Sequence, residues 1–350
     1  MWKEKVQFTI PMTFVGILAV LGVIGNLLVL VIFGGKNKKR THTIFIIGLA
    51  FADFTVCSIT LPFEMYEIRN TFSFYSTYAC KVFRTFNYFV VILSTFLLIN
   101  LSIDRYRRVC QPLKVQVTQN MAFFMIFVAS VFSACLAWPQ LFLCGIQTVY
   151  NGQETGYQCS ISVDYIGTIY PTIYYNVLLV ILIINILTII ILYSFIGRKV
   201  VQHLRYRKRF RYTSSKYHKS LRRNLNSLEL TNLRGDQASI QSSGTRGSLV
   251  RHDQEESSFR ITKIALTISI FFVISYVPSI ALSFLEGVLG QRYITNTNSA
   301  SVGFILLAER SFIINHVVNP FVYGFLDVTF RNKCKTILQF RMCKFLYRKL

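Results

Sequence analysis

Acid is what this chain has least of. Its 350 residues hold 15 Asp+Glu against 38 Lys+Arg, a formal net charge of +23, and only 15% of them are charged. Tryptophan occurs twice, proline seven times, and no internal repeat recurs. The eight cysteines form no CxxC pair and no Cys/His spacing that would hold a metal. No nucleophile, acid/base pair or metal cluster is assembled, so an enzyme is not expected. No zinc-finger or RNA-binding signature accompanies the positive charge, which sets nucleic acid aside as a partner. A cleavable leader is not expected either. The first apolar run, from about Phe8 to Phe33, is long enough to cross a bilayer and to act as its own insertion signal.

What is present is apolar. Hydrophobic residues make up 53% of the chain, with 31 Phe. A soluble domain could not hide that surface, whereas a helical bundle in lipid has no need to. The runs predict seven spans: Phe8–Phe33, Thr43–Arg69, Thr77–Arg108, Asn120–Ile146, Tyr165–Leu204, Ser258–Gly287 and Ser299–Tyr323. Basic residues crowd the first, third and fifth loops and the tail, for example Lys36, Arg107, Arg207, Arg222, Arg331 and Lys349. The even-numbered loops are much poorer in Lys and Arg. The basic loops and C-terminus are therefore expected in the cytoplasm and the N-terminus outside. The same basic segments suit contact with anionic membrane lipids.

The stretch from about 205 to 257 is rich in Ser and carries Gly235, Gly244 and Gly247, and is expected to be largely disordered after a basic helical extension of the fifth span. Its serines are open to phosphorylation or are solvated linker residues. After Tyr323, Leu326, Phe330, Cys334 and Leu338 recur at helical spacing among basic residues, which predicts a short amphipathic helix on the inner leaflet. Residues 1–338 are expected to form one transmembrane domain, and 339–350 a basic cytoplasmic tail.

Polar clusters sit inside these spans, where hydrocarbon should expel them. Asp104-Arg105-Tyr106 closes the third span and Asn319-Pro320-Phe321-Val322-Tyr323 ends the seventh. Gly25-Asn26 lies in the first and Leu49-Ala50-Phe51-Ala52-Asp53 in the second. Together these motifs resemble the rhodopsin-like (class A) G-protein-coupled receptors, over nearly the whole chain. The resemblance implies an all-α fold, a seven-transmembrane helical bundle with an eighth helix, at the plasma membrane. It implies a heterotrimeric G protein as partner, with receptor kinases and arrestin as regulators.

Roles follow from the same resemblance. Arg105, neutralised by Asp104 in the resting state, would swing toward Tyr193 and Tyr323 on activation. Leu113, just after Pro112, would fill a notch on the G protein. In the sixth span, Phe272 and Pro278 flank Ser275-Tyr276, where relatives carry Cys-Trp, making Tyr276 the aromatic switch beside a proline kink. Asp53 and Ser94 would hold an allosteric sodium ion, with Asn315 and Asn319 nearby; a hydrated network without sodium is the alternative. No other cofactor is expected. Cys80 would pair with Cys159, and Cys144 is the competing partner in an oxidising compartment. Cys334 or Cys343 would carry palmitate, or remain plain thiols.

Departures from the pattern are Ser130 in place of a mid-span Trp, Asn185 in place of a proline, and Ser258 in place of an acid. They bear on the balance of resting and active states. For the ligand, Ile313 stands where a retinal receptor has its lysine, and Asn87 where an amine receptor has its aspartate. The outer half presents Glu64, Glu67, Arg84, Tyr88, Glu286, Glu309 and Arg310. Opposed charges and aromatics suit a peptide with several anchors, as in the cholecystokinin-, orexin- and neuropeptide-type branch. The segment before the first span is short and lacks a glycosylation sequon, which disfavours a protein hormone held by an ectodomain. A lipid or small-molecule receptor and a non-signalling decoy are the rivals. A transporter would show paired interrupted helices in two related halves.

Overall fold

The computed structural model describes residues 2–35, 40–70, 73–151, 154–228, 242–289 and 299–347. In hydrocarbon every backbone N–H and C=O must bond within its own segment, so apolar runs of this length become helices. Among the described residues six helices are long and apolar enough to cross a membrane: Thr9–Gly34, Thr41–Arg69, Thr77–Cys110, Gln119–Leu143, Ile169–His203 and Phe259–Leu282. The seventh span is built from two shorter helices, Ser299–Glu309 and Ile313–Leu326. The molecule is inside out relative to a soluble protein. Ile24 is 62% exposed, Phe127 65% and Ile274 61%, while Asn26, Asp53 and His316 are fully buried.

Local sequence sets the ends and breaks. Ser76 and Thr118 cap the third and fourth spans, their hydroxyls accepting from the N–H of Ala79 at 3.2 Å and Met121 at 3.3 Å. The second span widens into a π turn over Val56–Thr60, immediately before Pro62, whose missing N–H disturbs the regular ladder. In the first span, a Cβ on Gly25 would lie 2.8 Å from the Pro320 ring, so only glycine lets these two helices touch.

The interruption of the seventh span at residues 310–312 was not foreseen, and a hydroxyl of the sixth span bonds across it. Broken helices leave carbonyls without donors. Ser279 Oγ reaches the carbonyls of Ala308 at 3.1 Å and Glu309 at 2.7 Å. In return Ser311 Oγ donates to the Ser275 carbonyl at 2.6 Å, three residues before Pro278. The two spans are thus cross-bonded where the seventh is interrupted.

The fourth span stops at Leu143, not Ile146. From Cys144 the chain enters a hairpin, β1 (Cys144–Asn151) and β2 (Glu154–Ile161), antiparallel with Ile146 opposite Cys159. A disulfide joins Cys159 to Cys80 at the start of the third span. The Phe74 N–H bonds the Tyr157 carbonyl at 2.9 Å, tying the hairpin to the first outer loop. Cys144 remains a free thiol.

The fifth helix continues through Leu228 and the sixth begins at Ser242. Residues 229–241 of the long loop lie outside the described residues, as do the side chains of Ser258, Glu286, Leu338 and Cys343. After a break at Asp327, a last helix spans Val328–Tyr347. Phe330 is buried against Phe33, with ring centroids 5.9 Å apart. Lys333 Nζ bonds the Ile32 carbonyl at 3.2 Å, and Cys334 packs at the edge of the same apolar cluster.

Candidate functional site

Buried polar side chains recur at three depths of the bundle. The outermost surround a cavity of about 360 Å³, lined by Glu64, Arg84, Asn87, Tyr88, Tyr276, Glu309, Arg310 and Phe312, among others. Glu64 is its hub. Its carboxylate lies 3.5 Å from Arg84 Nη1, 3.5 Å from Arg310 Nε and 3.3 Å from Asn87 Nδ2. Arg84 also pairs closely with Glu67, and Arg310 with Glu309 at 3.2 Å. Burial makes such charges costly unless each finds an opposite one. At the cavity floor Tyr276 stacks obliquely on Phe272, centroids 4.8 Å apart, and meets Phe312 at 6.1 Å. Above it, burial pushes the Cys144 thiol up to about 11, although Arg84 pulls the other way.

Midway down, Asp53 accepts three hydrogen bonds. Ser94 Oγ reaches Oδ1 at 3.0 Å, His316 Nδ1 reaches Oδ1 at 2.7 Å, and Asn319 Nδ2 reaches Oδ2 at 2.6 Å. Asn26 completes the cluster by donating to the His316 carbonyl at 2.9 Å. Asp53, Ser94 and Asn319 are therefore gathered at one point. The buried Asn315 makes no hydrogen bond through Oδ1 among the described residues. Sequence reasoning missed His316. Its signal was available: it precedes Asn319 by three residues and Tyr323 by seven, which puts all three on one helical face. Among the described residues no group of three or more His, Cys, Asp or Glu could hold a metal ion.

At the inner end Arg105 is 1% exposed and paired directly with Asp104, which also takes Arg108 Nε at 3.1 Å. Tyr106 packs edge-on against Phe195, centroids 6.1 Å apart. Tyr193 and Tyr323 are buried. The Tyr323 ring lies against Phe33 and Phe330, and its hydroxyl has no hydrogen-bond partner among the described residues. Leu113 projects fully into the open, at 101% exposure. Ser130 is half-buried and Asn185 buried.

This stack of mouth, middle and inner pair runs through the region matched by a family model described as 7 transmembrane receptor (rhodopsin family), residues 25–323. Cholecystokinin receptor type A of Cavia porcellus is 23% identical over 94% of this chain and 80% of its own length. A Caenorhabditis elegans protein provisionally named neuropeptide Y receptor 11 is 34% identical, over 39% of this chain and 34% of that protein. Cephalotocin receptor 2 of Octopus vulgaris is 32% identical over 45% of this chain and 37% of its own. The two more identical matches thus span little more than a third of those relatives. The family match, in contrast, takes in Asn26, Asp53, Arg105 and Tyr323 together, and on it the chain belongs to the rhodopsin family of seven-transmembrane receptors.

Proposed function

We propose that the chain is a plasma-membrane receptor for an extracellular peptide and passes that signal to a heterotrimeric G protein on the cytoplasmic side. The observation that carries the ligand reading is the charge set of the outer cavity. Three carboxylates, Glu64, Glu67 and Glu309, face two guanidiniums, Arg84 and Arg310. Acids outnumber bases among these described residues, which favours a ligand with a cationic group. The remaining charges are paired at distances from which a second charged or amide group can take a partner over. Aromatic walls at Tyr88 and Phe312 add apolar anchors. Several anchors spread over a wide mouth fit a peptide better than a one-point amine. The cholecystokinin receptor match, over almost the whole chain, supports the same reading.

Signalling is a population shift. A ligand that binds the open state better favours outward movement of the sixth helix about the Pro278 kink. That movement frees Arg105 from Asp104 for Tyr193 and Tyr323, and exposes the inner face beside Leu113. Kinases and arrestin would act on the fifth loop and tail, and palmitate on Cys334 would hold the last helix to the inner leaflet. The N-terminus is extracellular and the C-terminus cytoplasmic in this arrangement.

Cells expressing the full chain, with calcium and cAMP reporters, should respond to a member of a cationic peptide library. The response should be lost in Arg105→Ala and weakened in Glu64→Gln. Responses confined to lipids or small amines would reject the peptide reading. A ligand that binds with full affinity while neither reporter nor G-protein nucleotide exchange responds would make the chain a decoy.

A further inference from the structure

The sodium ion implied by the family resemblance meets an obstacle at His316. We propose that in this receptor the His316 imidazole stands where that cation would sit, so that the Asp53 site is closed to sodium. The inference goes beyond the receptor reading and does not depend on the class of ligand.

A hard cation is held by converging oxygen lone pairs, with a carboxylate as anchor, and imidazole nitrogen is a poor substitute. An ion of calcium's size sits roughly 2.3–2.6 Å from its oxygens. That shell at Asp53 Oδ1 is taken by His316 Nδ1 at 2.7 Å, with Ser94 Oγ at 3.0 Å on the same oxygen. Oδ2 is met by the Asn319 amide nitrogen at 2.6 Å, not by its oxygen. An imidazole nitrogen this close to a carboxylate oxygen is held to it by a hydrogen bond, and the serine and amide groups donate. The set is built to stabilise a carboxylate, not to share it with a cation.

The ring has little freedom to withdraw. His316 is fully buried, and its own carbonyl is clamped to the first span by Asn26 Nδ2 at 2.9 Å. Next to it the first and second spans approach too closely for a side chain: a Cβ on Gly22 would meet Cys57 Sγ, and lie 3.2 Å from Val317. Removing the imidazole is another matter. Asn315 Oδ1 and Asn319 Oδ1 have no hydrogen-bond partner among the described residues. With the space of the ring vacated, they are acceptors that could join Asp53 and Ser94 around an ion.

The test uses the purified full-length receptor in lipid nanodiscs, melted in sodium chloride or in choline chloride at equal ionic strength and pH. The wild type should melt at the same temperature in both. His316→Ser should gain a sodium-specific rise of about 3–5 °C, and adding Asp53→Asn should remove it. A wild-type rise in sodium that disappears in Asp53→Asn overturns the proposal. So does a folded His316→Ser that stays blind to sodium. Should His316→Ser fail to fold, sodium-23 NMR on the wild type and Asp53→Asn decides. Binding that requires Asp53 refutes the proposal, and identical spectra support it. Neither readout involves ligand or G protein, so failure here leaves the receptor reading standing.

Discussion

The mouth and the middle of the bundle both bury carboxylates, and they satisfy them in opposite ways. Around the outer cavity, Glu64 is held by charged partners, Arg84 and Arg310, at 3.5 Å each. In the middle, Asp53 is held by Ser94, His316 and Asn319 at 2.6–3.0 Å. Long ion pairs beside a cavity can exchange partners when a charged ligand arrives, because the attraction is not directional. Short hydrogen bonds that reach Asp53 from the third and seventh spans cannot shift singly without stranding a buried donor. The mouth is therefore suited to recognition and the middle to fixing how the second, third and seventh spans sit together.

The largest test of that contrast is Asp53→Ala. Truncation leaves His316 Nδ1, Ser94 and Asn319 donors buried without an acceptor. Breaking a buried set of this kind costs about 3–5 kcal/mol, and the melting temperature should fall by about 5 °C or more. Glu64→Ala, at a more hydrated site, should lower it by less than half as much. Equal losses in a thermal-shift assay would show that the two clusters carry the same structural burden.

Arg84→Gln should reverse the order of effects. It removes one partner of Glu64 and one of Glu67, yet its side chain is 25% exposed and water can replace part of what is lost. Stability should change by about 1 kcal/mol, whereas agonist potency should fall about 10- to 100-fold, the range for a desolvated interfacial charge pair. Potency is read from the calcium or cAMP response, and maximal response should be retained. A loss of maximal response at unchanged potency would move Arg84 from the recognition cluster to the switch.

Between the two regions lies the break of the seventh span, cross-bonded to the sixth. Ser279→Ala and Ser311→Ala should each cost about 1 kcal/mol. The double variant should cost less than the sum, since the two hydroxyls serve one joint. Melting of the single and double variants checks this. This joint was invisible in the sequence for a physical reason. Ser279 and Ser311 look like ordinary polar residues in apolar helices, and their value comes from carbonyls of the facing span, which only the packing of the two helices brings within reach. Hydropathy, by contrast, made the spans legible, and Asp53, Asn319 and Arg105 stood out because each is costly in lipid. His316 is as costly, but it lay beside Asn315, which the family pattern drew into the ion set. The hairpin of Cys144–Ile161 was hidden because the apolar run of the fourth span continues into β1 without a compositional break.

The smallest effect concerns Cys144, which stands at the root of that hairpin above the charged mouth. Its thiol is pushed up to about 11, first by burial, with Arg84 opposing. A raised thiol favours the protonated form in the folded chain. The stability this contributes is present below the ordinary thiol range of about 8.5 and is lost as pH rises through the folded value. The thiolate is the nucleophile, so iodoacetamide should label Cys144 slowly at pH 7.5. Its rate should climb about tenfold per pH unit without a plateau before pH 10. Removing the guanidinium in Arg84→Gln takes away the one nearby effect that most lowers the thiol, and labelling should slow further, by a few-fold. Peptide mass spectrometry of the labelled receptor resolves this position from Cys57, Cys110, Cys135 and Cys334. Faster labelling in Arg84→Gln would mean that losing the ion pairs opens the hairpin root to solvent. The mouth would then depend on its charges for structure as much as the middle does.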